Sequence, residues 1–265
     1  MKHSTTQDKR ALFISDLHLS DETPKTLAAF ELWLRQNANA TTDIYILGDF
    51  FEYWVGDDHL TKTAQAVQHA CRQAGTTGAN LYFMHGNRDF LIGPAFLDAS
   101  GLTALPDPFL TEIHGITVSI SHGDLLCTDD VAYQQFRKLS RNAQWQAAFL
   151  SKPLAERIAY AESLRKESRM KKSTTAADIM DVNLLAVENA FAGHWPLSEA
   201  VKSDNMIHGH THRNACHRYA YNGEQQHRWV LSDWEFDHGG QARGNALSIT
   251  ARAWEFIPVS RPPIC

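Results

Sequence analysis

A chain of 265 residues is long enough to bury one large core or two small ones. Its composition, 43% hydrophobic and 21% charged, excludes a disordered or fibrous polymer. The formal net charge of -5 speaks against a nucleic-acid partner, which needs a basic excess to neutralise phosphates.

The chain opens on a polar stretch, MKHSTTQDKR, that runs into only four apolar residues, far short of a signal sequence or a membrane span. Cys71, Cys127, Cys216 and Cys265 lie far apart with no C-x-x-C pair, so no disulfide framework is expected and a cytoplasmic location is. Short apolar runs that end in polar residues predict buried strands at Ala11–Ile14, Ile44–Leu47, Leu81–Met84, Ile116–Ile120, Met206–Ile207 and Trp229–Leu231. Between the first two, Pro24 starts a helix that carries Leu27, Phe30, Trp33 and Leu34 on one face, and residues 61–74 repeat that pattern. From Asp130 to Ala200 the rhythm breaks: Phe136, Leu139, Trp145, Phe149, Leu150, Leu154 and Ile158 follow helical spacing, with no convincing strand. Strand-like alternation returns at Ala246–Thr250 and Ala253–Val259. The expectation is one α/β domain over residues 1–265 with a helical insertion at 130–200, and with polar residues displayed beyond the carboxyl ends of its strands.

Those strand ends carry the chemistry. The blocks are Asp16-Leu-His18, Gly48-Asp49, Gly86-Asn87-Arg88-Asp89, His122-Gly-Asp124 and His208-Gly-His210-Thr-His212. Carboxylate, imidazole and amide oxygen together suit Mn²⁺, Fe²⁺ or Zn²⁺ better than the all-oxygen preference of Mg²⁺ or Ca²⁺. Glycine beside the ligand permits a positive φ or a close backbone approach. Asp49, the sole acid of its turn, is the expected bridge between two cations about 3.5–4 Å apart. Any one block is common by chance; all five, each after a strand-like run, point to a dinuclear metal hydrolase of phosphoesters or phosphoanhydrides.

The order D-x-H, G-D, G-N, H-G-D, G-H-T-H resembles the calcineurin-like metallophosphoesterases from about Ala11 to Val259. The resemblance implies a β-sandwich flanked by helices in αββα layers. It assigns one metal to Asp16, His18, Asp49 and His210, and a second to Asp49, Asn87, His122 and His208. Many members place histidine after the asparagine, where it protonates a departing alkoxide; this chain has Arg88, which cannot. A phosphate monoester, with a second pKa of about 6, leaves as an anion without that help. A guanidinium grips phosphoryl oxygens instead, which favours a pyrophosphate substrate.

Four finer motifs, at Gly48–Asp58, His85–Leu91, His122–Asp130 and Ile179–Asn183, resemble the UDP-2,3-diacylglucosamine diphosphatases of lipid A synthesis. That family implies water attack at the α-phosphorus of UDP-2,3-diacylglucosamine to give UMP and 2,3-diacylglucosamine 1-phosphate, with two Mn²⁺ per chain. Its catalytic residues map onto Arg88 and Asp49, and its substrate contacts onto Asn87, Arg88, Asp130, Ser168, Lys172, Thr175 and His208. Lys172 and Thr175 depart from the family pattern, and Arg169, Lys171 or Lys172 could each supply the displaced charge. Arg137 to Lys172 holds ten basic residues against three acidic. A solvated helical cap would explain this run, but so would a lid over the acyl chains that also attaches to the cytoplasmic face of the inner membrane. The cluster Phe50, Phe51, Tyr53 and Trp54 fits core packing or the substrate cleft equally well. Asp57 and Asp58 read as a solvated turn or as partners of the ligands. The competing functions are a general nucleotide or cyclic-nucleotide phosphodiesterase and a metal-free scaffold; the oligomeric state is open.

Overall fold

The computed structural model describes residues 9–174, 181–196, 198–199, 202–221, 223–239 and 241–261. In chain order these form β1 (Arg10–Ile14), α1 (Pro24–Asn37), β2 (Thr42–Leu47), α2 (Lys62–Thr76), β3 (Asn80–Met84), α3 (Pro94–Ser100), β4 (Thr103–Leu105), β5 (Phe109–Ile113) and β6 (Ile116–Ser121). A 3-10 turn at Asp124–Leu126 leads into α4 (Val131–Ser140), α5 (Ala143–Leu150), α6 (Leu154–Thr174) and α7 (Leu184–Phe191). Then follow β7 (His194–Trp195), β8 (Ser198–Glu199), β9 (Asn205–His208), β10 (Ala215–Tyr221), β11 (Glu224–Val230), β12 (Asn245–Ile249) and β13 (Trp254–Pro258).

Period-two alternation sorts these strands into layers, because successive side chains leave opposite faces of a sheet. The first sheet runs β13-β12-β1-β2-β3-β4, with β1 to β4 parallel; the second runs β10-β11-β9-β6-β5, with β11, β9 and β6 parallel. Leu12, Ile14, Ile44, Ile46 and Phe83 face α1, α2 and α3 in one core with Phe30, Trp33, Val67 and Phe96. Their neighbours Phe13, Tyr45, Leu47 and Met84 turn the other way, onto Val118, Ile120 and Ile207 of the second sheet. Beyond it, Met206 packs on Val187, Ala190 and Phe191 of α7. Helices, sheet, sheet and helix are therefore stacked in the expected αββα order.

The expected strands all form, most with small shifts at their ends and β11 beginning five residues before the expected Trp229, whereas β4, β5 and β10 have no sequence signal. They are edge strands; an edge strand needs no continuous apolar run because one of its sides faces solvent. Residues 130–200, where no strand was expected, contain the two-residue pair β7 and β8, too short to set a hydrophobic pattern. Among the described residues no helix is long and apolar enough to cross a membrane.

Acids from elsewhere in the chain satisfy the free N–H groups that begin the core helices. Asp237 accepts from Lys25 N and Thr26 N, both at 2.8 Å, and from Thr26 Oγ1 at 2.7 Å, where α1's own N-cap residue gives no side-chain bond. Asp21 does the same for Thr63 of α2, and Asp57 accepts from Gly93 N and Phe96 N at α3. Asp57 is thus a helix cap, while Asp58 pairs with Arg157 of α6. Replacing Asp237 with alanine should cost about 1–2 kcal/mol in urea unfolding; an unchanged midpoint would contradict the capping role.

Candidate metal centre

The polar blocks emerge at one end of the sandwich on loops forced into an uncommon backbone shape. Asp16, His18, Asp49, His210 and His212 all have φ between 49° and 67°, the left-handed region that non-glycine residues enter at a cost of order 1 kcal/mol or more. Cross-loop hydrogen bonds hold them there. Asp16 N donates to Gly48 O, His18 N to Asp49 O, Gly209 N to His122 O, and His210 N to Asp16 Oδ2 at 2.8 Å. The loops approach so closely that a Cβ on Gly86 would lie 2.1 Å from Asp49 N, and one on Gly209 would lie 2.3 Å from Ser15 Oγ. Asp89 completes the stitching: its carboxylate accepts from Phe50 N at 2.7 Å and Gly86 N at 2.8 Å.

This scaffold gathers two groups of donor atoms, Asp16 with His18 and His212, and Asp49 with His122 and His210; within each group the atoms lie within 4.8 Å of one another. In the first, His212 Nε2 is 3.2 Å from Asp16 Oδ1 and 3.4 Å from His18 Nε2. In the second, Asn87 Oδ1 lies 2.9 Å from both His122 Nε2 and His210 Nδ1, and His122 Nε2 is 3.6 Å from Asp49 Oδ1.

These atoms fit divalent cations. His122 Nδ1 donates to Leu47 O at 2.8 Å, which leaves Nε2 facing the oxygens of Asn87 and Asp49. Asp16 Oδ1, fully enclosed, has no hydrogen-bond donor beyond the nearby imidazole. Against the penalty of burial, Asp49, Asp16 and Asp124 raise His122 towards its charged form. Burial pushes Asp49 up, and the charges of Asp16 and Asp89 push the same way. Asp16 is also penalised by burial, yet His212, His122 and His18 hold it far below the usual carboxylate range. Such a field asks for positive charge, which a divalent cation held there would supply.

His208 does not join either group. As the last residue of β9 it shares the face of Met206, away from the site: Nε2 accepts from Arg228 Nη1 at 3.0 Å and Nδ1 donates to Gly209 O at 2.9 Å. Burial, and then the Arg228 charge, lower it to about 3, so it is a neutral, fully paired imidazole. The structure puts His212, at the far end of the same motif, beside Asp16 and His18 where His210 was expected, and His210 beside Asp49 and His122 where His208 was expected. His210 moves from the first group to the second and is likewise lowered to about 3 by burial and by His122. The distinction was available from strand periodicity, which aims His208 with Met206 at the outer core.

Asn87 and Arg88 lead from this centre into a cavity of about 480 Å³ between the core and helices α4, α5 and α6. Its walls are largely apolar and aromatic, including Trp54, Phe90, Phe136, Trp145, Phe149 and Leu164. Arg88 N donates to Asp49 Oδ1 at 2.9 Å, and its guanidinium lies 3.0 Å from Glu52. Arg165 of α6, which no motif singled out, reaches the same Glu52 oxygen at 3.0 Å. Asp130 caps α4 through Tyr133 N at 3.1 Å and lines the cavity. Tyr53 and Trp54 line it too, whereas Phe50 and Phe51 belong to the core. Ser168 and Lys172 fall on α6, but their side chains, and all of Thr175, lie outside the described residues.

Loss of His208 is expected to act on stability. The His208→Ala change leaves a buried Arg228 nitrogen without its acceptor and should cost about 1–3 kcal/mol in denaturant unfolding of chelator-treated protein. Wild-type stability together with lost metal binding would return His208 to the ligand set.

The calcineurin-like phosphoesterase family profile matches residues 9–214. A UDP-2,3-diacylglucosamine hydrolase of Aromatoleum aromaticum is 48% identical over 228 residues, covering 86% of this chain and 90% of the relative. Its counterpart in Stenotrophomonas maltophilia is 41% identical over 257 residues, covering 94% and 98%. One in Chromobacterium violaceum is 48% identical over 230 residues, covering 86% and 92%. This chain belongs to the calcineurin-like phosphoesterases and, within them, to the family of UDP-2,3-diacylglucosamine hydrolases.

Proposed function

We propose that the protein hydrolyses the pyrophosphate bond of UDP-2,3-diacylglucosamine to UMP and 2,3-diacylglucosamine 1-phosphate, a step of lipid A biosynthesis. The observation that carries this reading is the junction of two unlike environments: a cluster of acids and imidazoles opens directly, through Asn87 and Arg88, into an apolar cavity. A diphosphate joined to two acyl chains needs both at once.

We assign one Mn²⁺ to Asp16, His18, Asp49 and His212, and a second to Asp49, Asn87, His122 and His210. Asp49 suits the bridge because its carbonyl holds His18 N while its carboxylate stands beside His122. Bound divalent cations supply Lewis acidity and lower the pKa of water, giving a nucleophile for the α-phosphorus at neutral pH. Around them the chain's own groups position the substrate. Arg88, fixed by Asp49 and Glu52, is placed to exchange an ion pair with Glu52 for one with a phosphoryl oxygen, the bidentate role open to a guanidinium. Its lack of a transferable proton is no handicap, since the departing phosphate monoester leaves as an anion.

Helices α4 to α6 act in this reading as a lid inserted in a single domain, with the acyl chains in the cavity beneath. Asp130 and Arg165 contact the sugar-phosphate end, and Ser168, Lys172 and Thr175 belong to the same lid. Peripheral attachment to the inner membrane is supported by exposed Val131, Leu184 and Leu185. Asn183 bonds to Leu126 O and to Asp129, which brings the start of α7 beside the start of α4. The basic run of α6 suits an anionic surface.

The test is to incubate the Mn²⁺-loaded protein with UDP-2,3-diacylglucosamine, p-nitrophenyl phosphate and cyclic AMP in parallel. Release of UMP from the first alone is expected; turnover confined to the other two would support the general phosphodiesterase instead. In the same assay Ala161→Trp, which fills the cavity from α6, should lower kcat/KM for the diacyl substrate by about tenfold or more with metal content unchanged. An unaffected rate would remove the cavity from the account.

A further inference from the structure

Beyond the groups that would touch metal, one carboxylate stands behind the centre in an arrangement the activity itself does not require. Asp233 lies in the loop after β11, and its Oδ2 is 3.5 Å from His212 Nδ1, on the side of the ring opposite Asp16 and His18. The neighbouring backbone is fixed to the site: Leu231 N donates to His208 O, and Trp234 N donates to Asp16 O at 3.1 Å. Asp233 is itself clamped. Arg243 Nε donates to Oδ1 at 2.8 Å and Nη2 to Oδ2 at 2.5 Å, a fork on both carboxylate oxygens. Arg243 is held opposite by a two-way backbone bridge with Glu235, at 2.8 and 3.0 Å.

Each contact bears on the next. As a ligand through Nε2, which is turned to Asp16 Oδ1 and His18 Nε2, His212 would carry its ring proton on Nδ1, and Asp233 lies on that side. With φ at 58°, His212 sits on a strained backbone that does not by itself fix the ring. A carboxylate behind a ligating imidazole sets its tautomer, orients the ring and raises its basicity. Asp233 cannot easily become a ligand, because Arg243 occupies both of its oxygens; its influence on an ion passes through His212.

We propose that Asp233, steadied by Arg243, is a positioning residue that orients His212 for one of the two divalent cations. This rests on the assignment of His212 as a ligand. Because Asp233 stands behind one group only, its loss affects one ion and spares the other.

The experiment is calorimetric titration of chelator-stripped protein with Mn²⁺, with no substrate present. Asp233→Ala should weaken one binding event by about 10–100-fold, leaving the other near its wild-type affinity. Asp233→Asn, which keeps an acceptor oxygen without the charge, should fall between the two and guards against a folding failure in the alanine variant. Arg243→Ala should give a smaller loss at the same event. Two unchanged affinities in either Asp233 variant would overturn the proposal, as would equal loss of both, which marks a general collapse of the loop. His212→Ala, titrated alongside, separates the two layers of argument. If it keeps both ions, the ligand assignment falls and this inference with it; if it loses one while the Asp233 variants lose none, only the positioning role fails.

Discussion

Buried Asp16, Asp49 and Asp124 all act on His122 at the carboxyl ends of the strands, and the surrounding site is arranged around compensating their charge. Three carboxylates this close in a low dielectric repel one another strongly unless positive charge stands among them. Each is treated differently. Asp124 takes Arg137 Nε at 2.8 Å and the Tyr133 hydroxyl, and although burial opposes it, Arg137 and His122 hold it well below the usual carboxylate range. Asp16 faces imidazoles. Asp49 accepts from Arg88 N at 2.9 Å and has the Arg88 guanidinium at 3.7 Å and His122 at 3.6 Å, and it is the one of the three in which burial outweighs its partners. The acid left least compensated by protein is the one assigned to bridge two cations.

The compensation also ties the lid to the core. Arg137 leaves α4 to join Asp124 and Asp107, while Asp107 accepts from Ser121 Oγ and His122 N at the end of β6. Arg157 leaves α6 to hold Asp58 and Val55 O, and Arg165 meets Arg88 at Glu52. Three of the ten basic residues between Arg137 and Lys172 are therefore paired with acids outside the insertion or at its edge, Arg137 with Asp107 and Asp124, Arg157 with Asp58 and Arg165 with Glu52. Of these residues Glu52, Val55, Arg88 and Arg165 also line the apolar cavity, so the ion pairs at Glu52 stand where the cavity meets the metal centre.

How far the sequence foretold this depended on how local the signal was. Strands buried on both faces announce themselves as apolar runs, and the polar residues after them as D-x-H, G-D, G-N and H-G-D, because each block is contiguous. Edge strands such as β10, with its Arg218 and His217, carry no such run. His208 and His212 were confused because ligand type alone does not distinguish residues in one H-G-H-T-H block; the direction of the strand face does. Arg165 matters through its contact with Glu52, 113 residues away, and Asp233 through one with His212 in another loop, and nothing in their immediate neighbours marks them. Asp237 is the extreme case, a cap for α1 from 211 residues away.

The central claim is that this corner of the fold is completed by a pair of divalent ions with Asp49 between them. Equilibrium titration of chelator-stripped protein with Mn²⁺, comparing wild type with Asp49→Asn, tests it directly. The account predicts two ions per wild-type chain and weakened binding of both in the variant. A single ion in the wild type, or a variant that loses one ion and keeps the other at full affinity, would contradict it.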